Sequence, residues 1–117
     1  MDLYLKRKFD AAHFLPGYEG KCANMHGHTW VVEVWVSGKV DPVTGMVCDF
    51  GDLKAPIDAL DHTLLNDTLE NPTAENLAKH LRLAYLPLMA TVRVWESENA
   101  YAEDDGLEVY VKEIEDA

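Results

Sequence analysis

Basic residues and cysteine are both scarce in this chain of 117 residues. Ten Lys and Arg stand against 21 Asp and Glu, which gives a formal net charge of −11. Bulk electrostatics then disfavour binding to nucleic acid or to an anionic membrane, so we expect neither as a partner. An anionic substrate would need a local basic pocket. The two cysteines, Cys22 and Cys48, are too few for a disulfide scaffold.

Long apolar runs and a secretory leader are missing as well. The longest apolar stretches are only a few residues, which is too short to span a bilayer. The first residues, MDLYLKRKFDAAHF, contain no apolar segment followed by a small-residue cleavage site. We therefore expect a cytoplasmic protein, in which cysteine thiols stay reduced and are available for chemistry or for metal binding.

The composition that is present is typical of a globular protein, with 48% apolar and 26% charged residues. A chain of this length buries roughly two thirds of the surface that its unfolded form exposes, which is enough for a core without cross-links. No internal repeat, linker or low-complexity tract interrupts it. We therefore expect one domain that spans residues 1–117.

The order of the predicted elements is strand, strand, helix, helix, strand, strand. β-branched and aromatic residues mark the strands, and apolar residues at helical spacing mark the helices. Asp49 and Thr73 are the expected N-caps. The predicted strands are 3–9, 26–37, 91–97 and 107–114, and the predicted helices are 49–60 and 72–87. Paired strands around helices indicate an α+β fold in which an antiparallel sheet is covered on one face.

The most informative stretch is Cys22-Ala-Asn-Met-His26-Gly27-His28. Residues two apart on a strand point to the same face, so the imidazoles of His26 and His28 can converge on one ion. A third histidine, His13, follows the first predicted strand. Three histidines without an evident fourth ligand are typical of a catalytic zinc site with an open position. On the residues alone, an incidental grouping of histidines remains the alternative, and His80 fits a solvated helix surface.

Four other residues or pairs carry chemical groups whose roles the local pattern leaves open. Cys22 could be a fourth zinc ligand, a buried apolar residue, or a nucleophile or base. The Asp61-His62 pair could relay protons, although the local pattern favours an ordinary helix end. Glu96 falls on the inward face of its strand, so it needs an ion-pair partner or a ligand to anchor. Glu75 is explained by the dipole of the helix that it begins.

Six motifs occur in order from end to end of the chain and together resemble one family. They are Phe9-x-Ala11-Ala12-His13, Cys22-x-x-x-His26-Gly27-His28, Gly45-Met46-Val47-x-Asp49-Phe50-x-x-Leu53-Lys54, Leu60-Asp61-His62-x-x-Leu65-Asn66, Pro72-Thr73-x-Glu75-Asn76 and Trp95-Glu96-Ser97. The family is that of the 6-pyruvoyltetrahydropterin synthases. The three residues between Cys22 and His26 resemble its bacterial branch, the 6-carboxy-5,6,7,8-tetrahydropterin synthases of queuosine biosynthesis.

The resemblance implies roles for particular residues. It implies that three histidines bind zinc, here His13, His26 and His28. It implies a proton-transfer set of Cys22, Asp61 and His62. It also implies that Glu96 anchors the pterin ring and that Glu75 lies near the site. With that, a catalytic role for the Asp61-His62 pair becomes the favoured interpretation.

The resemblance further implies the tunnelling fold, a four-stranded antiparallel sheet with two helices on one face. Three subunits would close a barrel and two trimers would stack into a homohexamer, with active sites between subunits. The implied reaction is that of a zinc-dependent lyase that converts 7,8-dihydroneopterin triphosphate into 6-carboxytetrahydropterin, with loss of acetaldehyde and triphosphate. The alternatives are a 6-pyruvoyltetrahydropterin synthase and a pterin- or zinc-binding module without turnover.

Overall fold

A computed structural model describes residues 1–107 of the protein. These residues form one mixed sheet of five strands together with two helices. The strand order across the sheet is β3-β1-β2-β4-β5. In chain order the elements are β1 (Asp2–His13), β2 (His26–Ser37), α1 (Phe50–Asp58), β3 (Thr63–Leu64), α2 (Ala74–Ala84), β4 (Ala90–Ser97) and β5 (Ala100–Asp104).

The antiparallel ladder between β1 and β2 is the longest pairing in the described chain. Its register runs from Asp2 opposite Ser37 to His13 opposite His26. Because side chains alternate along a strand, Phe9, Ala11 and His13 share the inward face of β1. The register therefore places His13 beside His26 at one end of the sheet.

Both helices begin where the sequence predicts. The Asp49 carboxylate accepts a hydrogen bond from the Gly51 N–H at 2.8 Å and caps α1. The Thr73 hydroxyl accepts from the Asn76 N–H at 3.1 Å and caps α2. Pro56 lies inside α1, which ends at Asp58, two residues before the predicted end. A proline has no N–H to continue the ladder, so α1 is short.

The hydrophobic core lies between one face of the sheet and the two helices. The sheet contributes valines from β2 and β4, and the helices contribute leucine and isoleucine. Its fully buried members include Trp30, Val32, Val34, Val92, Val94, Leu53, Ile57, Leu77 and Leu81. The opposite face of the sheet carries polar and aromatic side chains such as Tyr4 and Tyr101, which are about half exposed. This two-layer arrangement confirms the predicted α+β class.

The sheet differs from the prediction at its two edges. Besides four antiparallel strands it includes β3, two residues that pair in parallel with Ala11 and Ala12 of β1. The last strand of the described chain is β5, which follows β4 after a tight turn and pairs with it from Val92 to Ser97. The prediction placed the last strand at 107–114, most of which lies outside the described residues. Apolar alternation favoured the segment 107–114. The sequence did not predict β5, which is less apolar and pairs with β4 through a short turn.

No helix among residues 1–107 is both long enough and apolar enough to cross a membrane.

A largely buried ion pair joins α2 to β5. The Arg82 Nε lies 2.8 Å from Asp104 Oδ2, and the two side chains are 10% and 19% exposed. Burial opposes ionisation of Asp104, but hydrogen bonds from Arg82 and from the Gly106 N–H outweigh it, so the pKa of Asp104 is lowered from 3.8. A carboxyl group whose pKa is lowered by folding stabilises the folded state at pH values above its ordinary pKa. This stabilisation is lost as the pH falls through the lowered pKa of the folded state.

We expect Asp104→Asn to lower the free energy of unfolding by about 2 kcal/mol at pH 7, because it leaves the buried Arg82 charge unpaired. The difference from the wild type should shrink as the pH falls below 3.8, where Asp104 itself becomes protonated. Urea unfolding followed by tryptophan fluorescence at fixed protein concentration measures both. Glu103→Gln removes the exposed partner of Arg93 and should change stability less. Equal losses in the two variants would contradict the assignment.

Candidate metal centre and active site

Three histidines and one glutamate meet at the end of the sheet. His13 ends β1, His26 and His28 begin β2, and Glu96 lies near the end of β4. One potential ligand atom from each of the four lies within 4.8 Å of the others. The sequence predicted that the three histidines would come together, and the β1–β2 register brings them together. For Glu96 the sequence left open an ion-pair partner or a ligand to anchor, and the structure places Glu96 Oε1 3.1 Å from His28 Nε2.

Two of the imidazoles are held in one tautomer by backbone carbonyls. His13 Nδ1 lies 2.7 Å from the Pro72 carbonyl oxygen, and His26 Nδ1 lies 2.6 Å from that of Asn24. A carbonyl can only accept, so each Nδ1 carries a proton, and in the neutral ring the lone pair is then on Nε2. These two Nε2 atoms are 3.0 Å apart. Two bare lone pairs at that distance repel each other, so the contact needs either a proton shared between the two nitrogens or a cation beside them.

His28 completes the cluster with a ring nitrogen that has no hydrogen-bond partner among residues 1–107. Its Nε2 is buried, and the contact with Glu96 does not have hydrogen-bond geometry. Burial lowers the pKa of His28; Glu96 opposes this effect, while the neighbouring His13 and His26 add to it. The neutral imidazole is therefore favoured, and that is the form that binds metals.

The donor set fits a zinc ion. Zinc is bound by imidazole nitrogen and carboxylate oxygen in a tetrahedron whose ligand atoms lie roughly 3.3 Å apart. The four groups here are of those two kinds and stand close to that spacing. The unpartnered nitrogen of His28 and the facing nitrogens of His13 and His26 are the features that a bound cation would satisfy.

Trp30 supports the cluster from the core side. Its ring meets His13 and His28 edge to face, with centroids 4.9 and 5.2 Å away, and its Nε1–H donates to the Ala11 carbonyl at 3.2 Å. Sequence reasoning did not identify Trp30 as a site residue. The available signal was its position two residues after His28, which places it on the same face of β2.

A cavity of about 380 Å³ opens beside the cluster. It lies between the segment that follows His13 and the start of α2, and both Glu75 and Glu96 line it together with His13 and Tyr18. Its volume is in the range of small-molecule binding sites. The structure therefore brings the two predicted substrate-binding carboxylates to one cavity beside the candidate metal centre.

Asp61 and His62 form a second, oriented cluster on the β1 edge of the sheet. His62 Nδ1 lies 2.9 Å from Asp61 Oδ2, and the Asp10 N–H donates to Asp61 Oδ1 at 2.9 Å. The His62 N–H donates to the Asp10 carbonyl at 2.7 Å and holds His62 at a φ of 58°, which is rare for a residue with a side chain. The Asp10 N–H, followed by His62, lowers the pKa of Asp61. An ionised carboxylate therefore orients this exposed imidazole.

The two cysteines lie in different surroundings. Cys22 lies in a one-turn 3₁₀ helix, Lys21–Ala23, and is half-buried. Within residues 1–107 it belongs neither to the histidine cluster nor to the Asp61-His62 cluster, so one chain does not bring the predicted proton-transfer set together. Cys48 packs against the core, and burial raises the pKa of its thiol, as expected for a packing residue.

Comparison with solved structures shows which class of protein has this architecture. The chain resembles the structure of Caenorhabditis elegans 6-pyruvoyl tetrahydropterin synthase with a TM-score of 0.70 and 28% identity, over 91% of this chain and 95% of that one. The class is therefore that of the tetrahydropterin synthases, with the predicted tunnelling fold. The sequence profile of 6-pyruvoyl tetrahydropterin synthase matches residues 2–106, and the chain belongs to that family of pterin-metabolising enzymes.

Curated relatives lie in the 6-carboxy branch that the sequence resembles. A relative from Archaeoglobus fulgidus, named provisionally as a 6-carboxy-5,6,7,8-tetrahydropterin synthase, is 44% identical over 110 residues, which cover 88% of this chain and 94% of the relative. The 6-carboxy-5,6,7,8-tetrahydropterin synthase of Synechocystis is 40% identical over 81% of this chain and 85% of that protein. The predicted family resemblance is thus confirmed.

We expect the protein to bind one zinc ion per chain at the histidine cluster, which calorimetry against a competing chelator measures. His26→Ala should weaken binding by about a hundredfold or more, because a ligand is lost. His80→Ala, on the surface of α2, should leave it unchanged. Binding should weaken as the pH falls, since protonated imidazole cannot bind metal. Equal affinities for the His26 and His80 variants would exclude the cluster as the site.

Proposed function

We propose that this protein is a zinc-dependent 6-carboxy-5,6,7,8-tetrahydropterin synthase of queuosine biosynthesis. It would convert 7,8-dihydroneopterin triphosphate and one water into 6-carboxytetrahydropterin, acetaldehyde and triphosphate, which makes it a lyase. The observation that carries the proposal is the cluster of three histidines, with the Nε2 atoms of His13 and His26 3.0 Å apart, beside a cavity with two carboxylates. This cluster and cavity occur in a chain that is 40% identical to a relative named 6-carboxy-5,6,7,8-tetrahydropterin synthase.

His13, His26 and His28 would hold the zinc ion. Bound zinc supplies a Lewis acid, which polarises oxygen atoms of the substrate side chain and favours removal of a proton from the neighbouring carbon. The histidines are suited to this role because backbone carbonyls orient two of them and Trp30 backs two of them.

Glu96 and Glu75 would bind the pterin ring. The pyrimidine edge of a pterin presents neighbouring N–H donors, which a carboxylate accepts as a pair. Glu96 lies both in the lining of the cavity and 3.1 Å from His28. A ring bound there would extend its side chain next to the metal centre, so one carboxylate would set the distance between the ring and the reacting carbons.

Cys22, Asp61 and His62 would move the protons. Cys22 as thiolate would take a proton from a side-chain carbon. His62, oriented by the ionised Asp61, would deliver protons as the ring is reduced and the side chain is oxidised. The oxidation and the reduction occur within one molecule, so no nicotinamide is required.

A homohexamer, arranged as a dimer of trimers, would complete the site. Within residues 1–107 of one chain, Cys22 is separate from the Asp61-His62 cluster, and His62 is 80% exposed. A second copy of the chain would supply the missing partner, so that the Cys22 of one subunit meets the His62 of its neighbour. The cytoplasm remains the expected location.

The 6-pyruvoyl product is the alternative within the family. Its formation consumes no water and releases no acetaldehyde, so it differs from the proposed reaction in the last step. The gap of three residues between Cys22 and His26 and the names of the relatives at 40 to 44% identity favour the carboxy product. A non-catalytic binding module is less well supported, because pure binding needs no Cys, Asp and His set.

We expect the zinc-loaded protein to release 6-carboxytetrahydropterin and acetaldehyde from 7,8-dihydroneopterin triphosphate, as identified by mass spectrometry. Cys22→Ala should lower kcat about a hundredfold or more, because the proton-abstracting group is lost. Cys48→Ala is the matched control and should retain activity. A 6-pyruvoyl product would move the protein to the alternative, and a folded, metal-loaded protein without turnover would contradict the enzyme proposal for this substrate.

Mixing variants tests the shared site. Cys22→Ala and His62→Ala proteins should each be inactive. After they are unfolded together and refolded at equal amounts, random assembly gives about one site in four with an intact Cys22 from one subunit and an intact His62 from its neighbour. Activity should therefore recover to about a quarter of the wild type. A mixture that stays inactive, in a sample shown to contain mixed oligomers, would contradict a site between subunits.

A further inference from the structure

The segment after His13 is a small closed loop that carries two functional groups. The Leu15 N–H donates to the Cys22 carbonyl at 2.8 Å and closes the base of the loop. Within it, the Tyr18 N–H donates to the Leu15 carbonyl at 3.3 Å, and Gly17 has a φ of 73°. A positive φ at Gly17 allows the tight turn that precedes Tyr18. Cys22 therefore lies at the base of a loop that has Tyr18 near its tip.

Tyr18 lines the cavity beside the metal centre. Its side chain is 54% exposed, and His13 is the only other residue with a planar ring among the described residues that line the cavity. The ring of Tyr18 lies against Gly20, where an added Cβ would come 3.2 Å from Tyr18 Cε1. The missing side chain at Gly20 thus leaves room for the ring in this orientation.

The cavity therefore offers two kinds of contact to a flat heterocycle. Glu75 and Glu96 offer carboxylates to the edge of a ring. Tyr18 offers an aromatic face, and stacking on such a face is favourable for any flat heterocycle because each one has a π surface. Tyr18 is 54% exposed in this cavity and does not belong to the hydrophobic core of the described residues, so packing in the core does not explain it.

We propose that Tyr18 is a substrate-binding residue that stacks against the face of the pterin ring while the carboxylates hold its edge. This inference deepens the proposed function and rests on it for the identity of the ring. Tyr18 contributes to affinity for the ring, and it takes no part in proton transfer.

Replacement of Tyr18 tests the stacking contact. Tyr18→Leu should raise the KM for 7,8-dihydroneopterin triphosphate about tenfold, and the Kd for neopterin by a similar factor, with kcat changed far less. Tyr18→Phe keeps the ring and should behave as the wild type. The Kd is measured by the fluorescence of neopterin bound to zinc-loaded protein. Tyr18→Gln serves as a second variant if Tyr18→Leu fails to fold.

Two controls separate stacking from general damage. Tyr101→Leu removes a tyrosine of similar exposure on the opposite face of the sheet and should leave the Kd for neopterin unchanged. Inorganic tripolyphosphate has no ring, so its inhibition constant should be the same for Tyr18→Leu and the wild type. If Tyr18→Leu weakens tripolyphosphate as much as neopterin, the loss does not come from the ring and the proposal is overturned.

The outcomes for Tyr18 and for the proposed function can be told apart. A wild-type protein that binds neopterin equally well with or without Tyr18 overturns only the stacking contact. A fall in kcat at unchanged KM and Kd also overturns it, because a stacking residue acts on binding. A zinc-loaded wild type that neither binds neopterin nor consumes the substrate overturns the proposed function, and the inference about Tyr18 with it.

Discussion

The close approach of two imidazole nitrogens is the constraint on which the site depends. His13 and His26 place their Nε2 atoms 3.0 Å apart because each Nδ1 donates its proton to a backbone carbonyl. Those carbonyls belong to Pro72, just before α2, and to Asn24, just before β2. The candidate metal centre therefore needs the sheet register, the turn into β2 and the docking of α2 all at once. Mutual repulsion of the two nitrogens is offset by the packing of these elements and, when present, by a cation.

The charge of the protein is distributed in a way that agrees with the chemistry of a pterin. A net charge of −11 is unfavourable for a triphosphate. The described residues that line the cavity include Glu75 and Glu96 and no lysine or arginine. Such a cavity suits the N–H edge of a heterocycle and excludes phosphate groups. In the proposed reaction, the ring and the triphosphate of the substrate would then be separated, with the reacting side chain held between them at the histidines.

Local sequence signals predicted the elements whose stability is local. Asp49 and Thr73 cap their helices as expected, because a cap satisfies N–H groups only two or three residues away. The valine-rich strand β2 and the paired histidines were also evident from alternation. The strand β5 was missed, because its five residues have little apolar alternation and it pairs with β4 through a tight turn; the strand predicted at 107–114 lies mostly outside the described residues and stays a prediction. The two-residue β3 carries too little pattern to be predicted at all.

By itself, the sequence determined which chemical groups the protein has and which helices and strands present them. Six ordered motifs were sufficient to indicate the family, including the three histidines and the Asp61-His62 pair. Only the tertiary structure decided how these groups face one another. It selected the tautomers of His13 and His26, brought Glu96 to His28, and held His62 in a left-handed conformation. Apart from the contact between His26 and Asn24, these features arise from contacts between residues far apart in the chain, and such contacts leave no local pattern in the sequence.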